Sequence, residues 1–135
     1  MPLTSVQARA VIAAAESKAA AIGVPVIVAV VDVGVHLKAF TRMDGAVLGS
    51  IDIALKKART SALFQANSEA VWEYCKPGAP APALELTNDG LAPFGGGVPL
   101  RSVDGELLGA VGVSGGAVAQ DAEIAQAAAA ALAGS

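Results

Sequence analysis

The chain has little of the residue types on which disulfides, metal sites and nucleic-acid interfaces depend. Cys75 is the only cysteine among 135 residues, so an internal disulfide and a cysteine-rich metal site are excluded, and we interpret it as an ordinary buried thiol. His36 is the only histidine, too few for the three or four protein ligands of a zinc site. Lysine and arginine together number nine and the net charge is -3, so nucleic acid is not an expected partner.

Charged residues make up only 16% of the chain and hydrophobic residues 54%, with a mean hydropathy of +0.58. No hydrophobic run is long: the run from Val24 to Val31 is far short of the roughly 20 residues that cross a membrane. The first helix carries Arg9, Glu16 and Lys18 in an alanine-rich segment, which is not the charge order of a signal peptide. We therefore expect a cytoplasmic protein without a membrane partner, which covers its apolar surface by forming a homo-oligomer.

Periodicity, caps and turns predict four helices and four strands. In chain order they are a helix from about 4 to 23, strands at 24–31 and 36–42, helices at 50–65 and 69–75, strands at 98–103 and 106–113, and a helix at 117–133. Thr4 and Gln7 make a capping box, Gly23 is a helix stop, and Ser50 is the predicted cap of the second helix. Because both strand pairs are hairpins and no βαβ unit occurs, the chain is predicted to be one α+β domain over residues 1–135.

The segment from Lys76 to Gly97 holds four prolines and is long for a plain connection, which is typical of a functional loop. Its leucines and phenylalanine indicate that it is ordered. Glu85 and Asn88 are isolated polar residues in this apolar segment. They have two interpretations: a general base with the residue that orients it, or plain loop caps.

Glycine clusters flank the second hairpin, whose turn is Asp104-Gly105. One cluster is Gly95–Gly97 and the other runs from Gly112 to Gly116, and such clusters permit a close approach of the backbone to another group. The second cluster matches the nucleophile elbow around Ser114, but a catalytic triad needs a histidine aimed at the serine, and the single histidine lies on an early strand. The same loop is predicted either to hold a carboxylate or phosphate on its amides or to be a tight connection from strand to helix.

Cationic residues follow the first hairpin. Arg42 and Asp44 either set the turn geometry as an exposed ion pair, or Arg42 holds a ligand carboxylate in bidentate fashion. Lys56 and Lys57 on the next helix are either solvated or add positive potential to the same region. A haem iron needs only one protein ligand, for which the candidates are His36, Met43, Tyr74 and Cys75.

Five stretches together form a specific pattern. They are Val30-Val31-Asp32-x-Gly34-x-His36-Leu37, Phe40-x-Arg42-Met43-Asp44-Gly45-Ala46, Ser50-x-Asp52-Ile53-Ala54-x-Lys56-Lys57-Ala58, Gly95-Gly96-Gly97-Val98-Pro99-Leu100 and Gly105-x-x-x-Gly109-Ala-Val-Gly112-Val-Ser114-Gly115. With them the chain resembles the GlcG/HbpS-like family, which is related to the C-terminal domain of PduO-type cobalamin adenosyltransferases. The resemblance extends over nearly the whole chain.

This resemblance implies a profilin-like antiparallel sheet of about five strands with helices around it, and assembly into dimers, tetramers or octamers. Some members bind haem or other tetrapyrroles, and others sit beside catabolic enzymes, which implies an accessory role in a catabolic pathway. In the PduO branch the axial haem ligand is a histidine near the N-terminus of the domain. The first helix of this chain has no histidine, so the cofactor stays open, with haem among the alternatives.

The first hypothesis is an oligomeric binding protein. Its ligand is a tetrapyrrole or a small organic acid, held in a hollow that Arg42, the loop Gly95–Gly97 and Ser114 border together. Asp44 and Lys57 are the further candidate contacts at this hollow.

The second hypothesis is a cofactor-independent lyase, isomerase or hydratase. Arg42 would anchor the carboxylate of a small oxygenated acid, and Glu85 or His36 would transfer the proton. The long loop would act as its lid. A purely structural scaffold is the third interpretation.

Overall fold

A computed structural model describes residues 2–132 of the chain. Its elements follow the predicted order, with ends that differ by a few residues. They are α1 (Ser5–Ile22), β1 (Ile27–Asp32), β2 (Leu37–Arg42), α2 (Ser50–Phe64), α3 (Ser68–Cys75), a 3-10 helical turn (Leu84–Leu86), β3 (Gly97–Arg101), β4 (Leu107–Ser114) and α4 (Val118–Ala130). The predicted last helix extends to residue 133, which lies outside the described residues. None of the helices within residues 2–132 is long and apolar enough to cross a membrane.

The four strands form one antiparallel sheet in the order β2-β1-β4-β3. The α+β class, with an antiparallel sheet flanked by helices, is confirmed. The strand number implied by the resemblance, about five, is wrong for the described part of the chain, where four strands pair. The segment between α3 and β3 adds no strand because it folds as turns and one 3-10 turn, in keeping with its prolines, which cannot donate a backbone hydrogen bond.

Both faces of the sheet are covered, so alternate residues of β1 enter two separate cores. Val28 and Val30 pack on the side of α1 and α4, whereas Ile27 and Ala29 pack under the alanines of α2. The apolar run of β1 is thus covered on both faces. The helices α2 and α4 therefore lie on opposite sides of the sheet.

The predicted helix ends are confirmed for α1. The Thr4 hydroxyl accepts a hydrogen bond from the Gln7 backbone N–H at 3.0 Å, and the Gln7 side chain accepts one from the Thr4 N–H at 2.9 Å. Gly23 ends the helix with φ 72°. The prediction that Ser50 caps α2 is wrong, because Gly49 is the N-cap and Ser50 is the first helical residue, whose buried hydroxyl accepts a hydrogen bond from Ser114.

Candidate functional site

A buried ion pair lies at the end of the sheet where β4 leads into α4. Lys57 of α2 places its Nζ 3.1 Å from Oδ2 of Asp121 on α4, and donates a hydrogen bond to the Val113 carbonyl oxygen at 2.9 Å. The two side chains are 1% and 3% exposed. Because α2 and α4 cover opposite faces of the sheet, the pair links the two layers past the end of β4. The interpretation of Lys57 as a solvated lysine is therefore wrong.

Other groups enclose the ammonium on its remaining sides. Nζ of Lys57 lies 5.1 Å from the centre of the Phe94 ring, in cation–π contact. A Cβ at Gly96 would stand 2.7 Å from Nζ, so only glycine leaves room for the lysine here. Burial lowers the pKa of Lys57 below its ordinary 10.5, and the charge and hydrogen bond of the Asp121 carboxylate oppose that shift.

The loop from β4 to α4 uses its amides within the chain. The Gly116 N–H donates to Oδ1 of Asp121 at 2.9 Å, and the Ala117 N–H donates to the Gln120 side chain at 2.9 Å. The carboxylate that the Gly116 amide holds is thus the chain's own. Of the two interpretations of this loop, the structure supports the tight connection from strand to helix.

The glycine triplet forms a close crossing between β3 and α2. A Cβ at Gly97 would collide with the backbone carbonyl oxygen of Lys57, so the missing side chain brings the strand against the helix. The Gly97 N–H donates to the Ser68 hydroxyl at 2.8 Å, and the Gly96 carbonyl accepts from the Val113 N–H at 2.8 Å. Gly95, Gly96 and Gly97 are all buried.

Arg42 and Ser114 share one row of the sheet. Both pair with Ile27, from β2 and β4 on either side of β1, and therefore face the same side as α2. Gly97 pairs with Gly112, two residues before Ser114. The structure thus brings Arg42, Ser114 and the glycine loop to the same end of the sheet, as the binding hypothesis requires.

Their exposure differs, however. Ser114 is 4% exposed and donates its hydroxyl to Ser50 at 3.1 Å, whereas Arg42 and Asp44 are exposed. Within residues 2–132, neither Arg42 nor Asp44 makes an ion pair, so the close pair that would set the turn is not formed. Their role as ligand contacts stays a prediction.

His36 lies at the opposite end of the sheet. It precedes β2, whereas Arg42 ends that strand, and six residues of extended chain separate the two by about 20 Å. Asp32 fixes the turn between the strands: its Oδ1 accepts hydrogen bonds from the Gly34 N–H at 2.9 Å and the His36 N–H at 3.0 Å, and lies 3.4 Å from Nδ1 of the imidazole. The His36 side chain is 83% exposed. A catalytic triad of this histidine with Ser114 is therefore excluded.

A cleft of about 510 Å³ opens beside His36. Leucine and valine side chains form much of its wall, and the chain's N-terminal segment borders it. Its members include Pro2, Leu3, Val33, Leu107, Asp32 and His36. The Nε2 atom of His36 bonds to no described residue. His36 thus has a carboxylate beside Nδ1 and an Nε2 atom that is available to a ligand.

Glu85 lies in the 3-10 turn against α3. Its Oε1 is buried without a hydrogen-bond partner among the described residues. Burial raises the pKa of the Cys75 thiol above its ordinary 9.0, and the Glu85 charge adds to that shift. Cys75 is buried, as predicted. The Asn88 amide donates to Thr87 at 3.0 Å, so it does not orient Glu85, and the pairing of a base with its orienter is not formed.

Comparison with known proteins identifies the family. A family model described as "Haem degrading protein HbpS-like" matches residues 3–130, nearly the whole chain. The chain belongs to the HbpS-like family. The resemblance found in its motifs is thereby confirmed.

Three similar proteins match this chain over most of their length. An uncharacterized 15.0 kDa protein from the dhaT-dhaS intergenic region of Citrobacter freundii is 40% identical over 125 residues, which is 92% of this chain and 87% of that protein. Protein GlcG of Escherichia coli K12 is 42% identical over 112 residues, 83% of this chain and 81% of GlcG. A crystal structure of a PduOC:Heme complex superposes with a TM-score of 0.90 at 36% identity, over 97% of this chain and 95% of that one.

No pattern in the sequence indicated that Asp121 of this HbpS-like chain pairs with Lys57. One signal for Lys57 was present. It stands three residues after Ala54 and four before Ser61, which puts it on the buried stripe of α2 rather than on the polar face. A lysine at such a position indicates a buried partner elsewhere in the chain.

Proposed function

We propose that this chain is a binding protein for a tetrapyrrole, which it holds at the cleft beside His36. One observation carries the proposal: the only histidine of the chain is exposed beside an apolar cleft, with Asp32 at Nδ1 and with Nε2 open. A volume of about 510 Å³ is within the range of pockets for small ligands and cofactors.

The residues of this cleft fit a haem group. The open Nε2 of His36 would ligate the iron, and Asp32, whose Oδ1 lies 3.4 Å from Nδ1, would restrain the imidazole ring. Leu3, Val33 and Leu107 would contact the apolar part of the macrocycle. When bound, haem would supply an iron centre with His36 as its protein ligand.

The relatives support this proposal. The family description names haem, and one structural neighbour is a haem complex. The resemblance implies that the PduO branch takes its axial histidine from the N-terminal part of the domain, where this chain has none. His36 stands at a different position of the motif and would be a separate ligand to the iron.

Haemin titration of the purified chain tests the proposal. We expect a saturable shift of the Soret band in the wild type, its loss in His36→Ala, and a roughly tenfold or greater loss of affinity in Asp32→Asn. Arg42→Ala, at the other end of the sheet, is the matched control and should bind as the wild type does. No saturable shift, or an equal shift in His36→Ala, would overturn the proposal.

A small organic acid at Arg42 is the second candidate ligand, because this arginine is exposed and without an ion pair among residues 2–132. An acid anchored there cannot reach His36, about 20 Å away along β2. Glu85 contacts α3 through its 3-10 turn, whereas β2 contacts β1 and α1. The geometry therefore favours binding over the lyase, isomerase or hydratase hypothesis. Saturable binding of a small dicarboxylate that Arg42→Ala abolishes would establish this second candidate.

We further propose that the chain self-associates, in assemblies from dimer to octamer. We also propose that it forms one domain, and that it acts in the cytoplasm as an accessory to a catabolic pathway. The apolar composition supports self-association, and the family resemblance supports the pathway role. Sedimentation of the purified chain over a dilution series tests self-association. A monomer at all concentrations would contradict it.

A further inference from the structure

The edge strand β2 is open on its outer side. It is the first strand of the order β2-β1-β4-β3, so one row of its backbone groups has no neighbouring strand. α1 covers one face of β2, whereas α2 packs on β1, β3 and β4. Phe40 is 39% exposed and Leu37 is 55% exposed. Apolar side chains and unpaired backbone groups therefore lie together on one edge, which is a template for strand pairing.

The pairing of β2 with β1 shows which backbone groups point outward. The Met43 N–H donates to the Val26 carbonyl oxygen at 3.0 Å, and in an antiparallel ladder inward and outward groups alternate. Thr41 therefore bonds to β1, while Phe40 and Arg42 direct their N–H and C=O groups outward. The register shifts between Val30 and Val31, which ends the regular edge near Lys38.

These outward groups favour one of the three registers centred on Phe40, Thr41 and Arg42 for a second copy. A two-fold axis at Thr41 sets Phe40 of each copy opposite Arg42 of the other, which allows two hydrogen bonds for each pair. It also brings Lys38 of each copy near Asp44 of the other, which lies in the turn that follows β2. Lys38 and Asp44 make no ion pair within the described chain, so the opposite charges are available to each other.

Neighbouring registers place like charges together. An axis at Phe40 sets Lys38 opposite Arg42, and an axis at Arg42 sets the two arginines opposite each other. Like charges directly opposite across a strand pair are destabilising. The register centred on Thr41 also places Phe40 beside Arg42, a favourable pair of an aromatic ring and a guanidinium.

The other edge of the sheet is less suited to pairing. β3 has five residues, and Pro99 in the middle of it lacks an N–H group. A β3 edge would therefore form an incomplete ladder with a second copy. β2 contains no proline.

We propose that two copies of this chain associate through their β2 edges, with a two-fold axis at Thr41, into one continuous sheet of eight strands. This inference rests on the proposed self-association and is independent of the ligand. The contact is isologous, because each copy contributes the same residues to both halves. Phe40, Arg42, Lys38 and Asp44 form its centre.

Charge exchange tests the register. In Lys38→Glu and in Asp44→Lys two like-charge pairs replace two opposite-charge pairs, so we expect the dimer dissociation constant to rise about tenfold in each. The double variant Lys38→Glu/Asp44→Lys restores opposite charges and should regain the wild-type constant. Arg9→Glu, on the exposed side of α1, makes the same change in net charge as Lys38→Glu and is the control. Circular dichroism checks that each variant is folded.

Hydrogen exchange gives a second measurement. The amides of Phe40 and Arg42 should exchange slowly at concentrations where the dimer forms and quickly on dilution, whereas the Thr41 amide, bonded to β1, should be protected throughout. A monomeric wild type would refute self-association itself. A dimer that none of the exchanges weakens, with fast exchange at Phe40 and Arg42, would leave self-association standing and overturn this interface.

Discussion

Lys57 of α2 and Asp121 of α4 meet through the end of the sheet, with Nζ 3.1 Å from Oδ2, and no other described pair of opposite charges is as deeply buried. Each charge has a further hydrogen bond, from Lys57 to the Val113 carbonyl and from the Gly116 N–H to Asp121. A charge inside a protein is costly unless it is paired and hydrogen-bonded. The ion pair therefore links the two helix layers. Removing either partner leaves the other charge buried without the opposite charge that offsets its desolvation.

Removing one partner of this pair should be strongly destabilising. We expect Lys57→Met to lower the free energy of unfolding by about 3–5 kcal/mol, because the Asp121 charge is left buried without a cation. Lys57→Met/Asp121→Asn removes both charges while the amide oxygen can still accept from Gly116, so it should recover much of the loss. Urea unfolding of the wild type, Lys57→Met and the double variant measures these differences in the free energy of unfolding.

The neighbouring lysine is the control for that experiment. Lys56 pairs with Asp52 at 3.1 Å on the surface, with side chains 35% and 71% exposed. Lys56→Met should cost less than about 1 kcal/mol. An equal decrease in the free energy of unfolding in the Lys56 and Lys57 variants would show that the buried pair contributes no more to stability than the surface pair.

The pKa of Lys57 should give unfolding a defined pH dependence. Because that pKa is lowered in the fold, the unfolded chain binds more protons than the folded one between the lowered value and 10.5. Stability from this group therefore rises as pH increases through that window, and the contribution levels off above 10.5. The slope reaches at most about 1.4 kcal/mol per pH unit. Urea unfolding of the wild type and of Lys57→Met between pH 8 and 11 checks it, since the variant should lack this rising component.

Gly97 should not tolerate a side chain. Its Cβ would collide with the Lys57 carbonyl oxygen and stand 2.9 Å from the Ser68 hydroxyl, so Gly97→Ala should force β3 away from α2 at a cost of about 1–3 kcal/mol or more. At Gly49 nothing lies within 4 Å of a Cβ and the backbone is helical, with φ -57°. Gly49→Ala should therefore leave the melting temperature nearly unchanged. A melting temperature equally unaffected by Gly97→Ala would refute the close crossing.

Cys75 should react slowly with a thiol reagent while the chain is folded. Burial, and then the Glu85 charge, raise the pKa of this thiol, so little thiolate forms near pH 8. Glu85→Gln removes the charge and should increase the rate of disulfide exchange with a chromogenic disulfide. Glu73→Gln, on the exposed side of α3, is the control and should react as the wild type does. Faster reaction in both variants would point to loosening of the helix instead.

The local sequence was sufficient to predict many of the helix ends and turns of the fold. The capping box at Thr4 and Gln7 and the stop at Gly23 act through contacts a few residues apart, so the pattern itself contains the partners. The hairpin turn at Gly105, with φ 84°, likewise depends on the backbone conformation of neighbouring residues only. The prediction for Ser50 was wrong because its hydroxyl accepts a hydrogen bond from Ser114, 64 positions away in the sequence, instead of capping the helix.

The burial and the partners of the candidate site residues depended on tertiary contacts more strongly than the secondary structure did. Residue types alone indicated that Arg42, His36 and the glycine clusters were unusual, and strand periodicity placed them at strand ends. Only the packing of helices on both faces of the sheet decided that Lys57 is buried against Asp121, 64 residues away in the sequence. Helix periodicity can place a charged side chain on a buried stripe, as it does for Lys57. Which partner that side chain meets depends on the neighbours that folding brings to it, and local periodicity does not identify them.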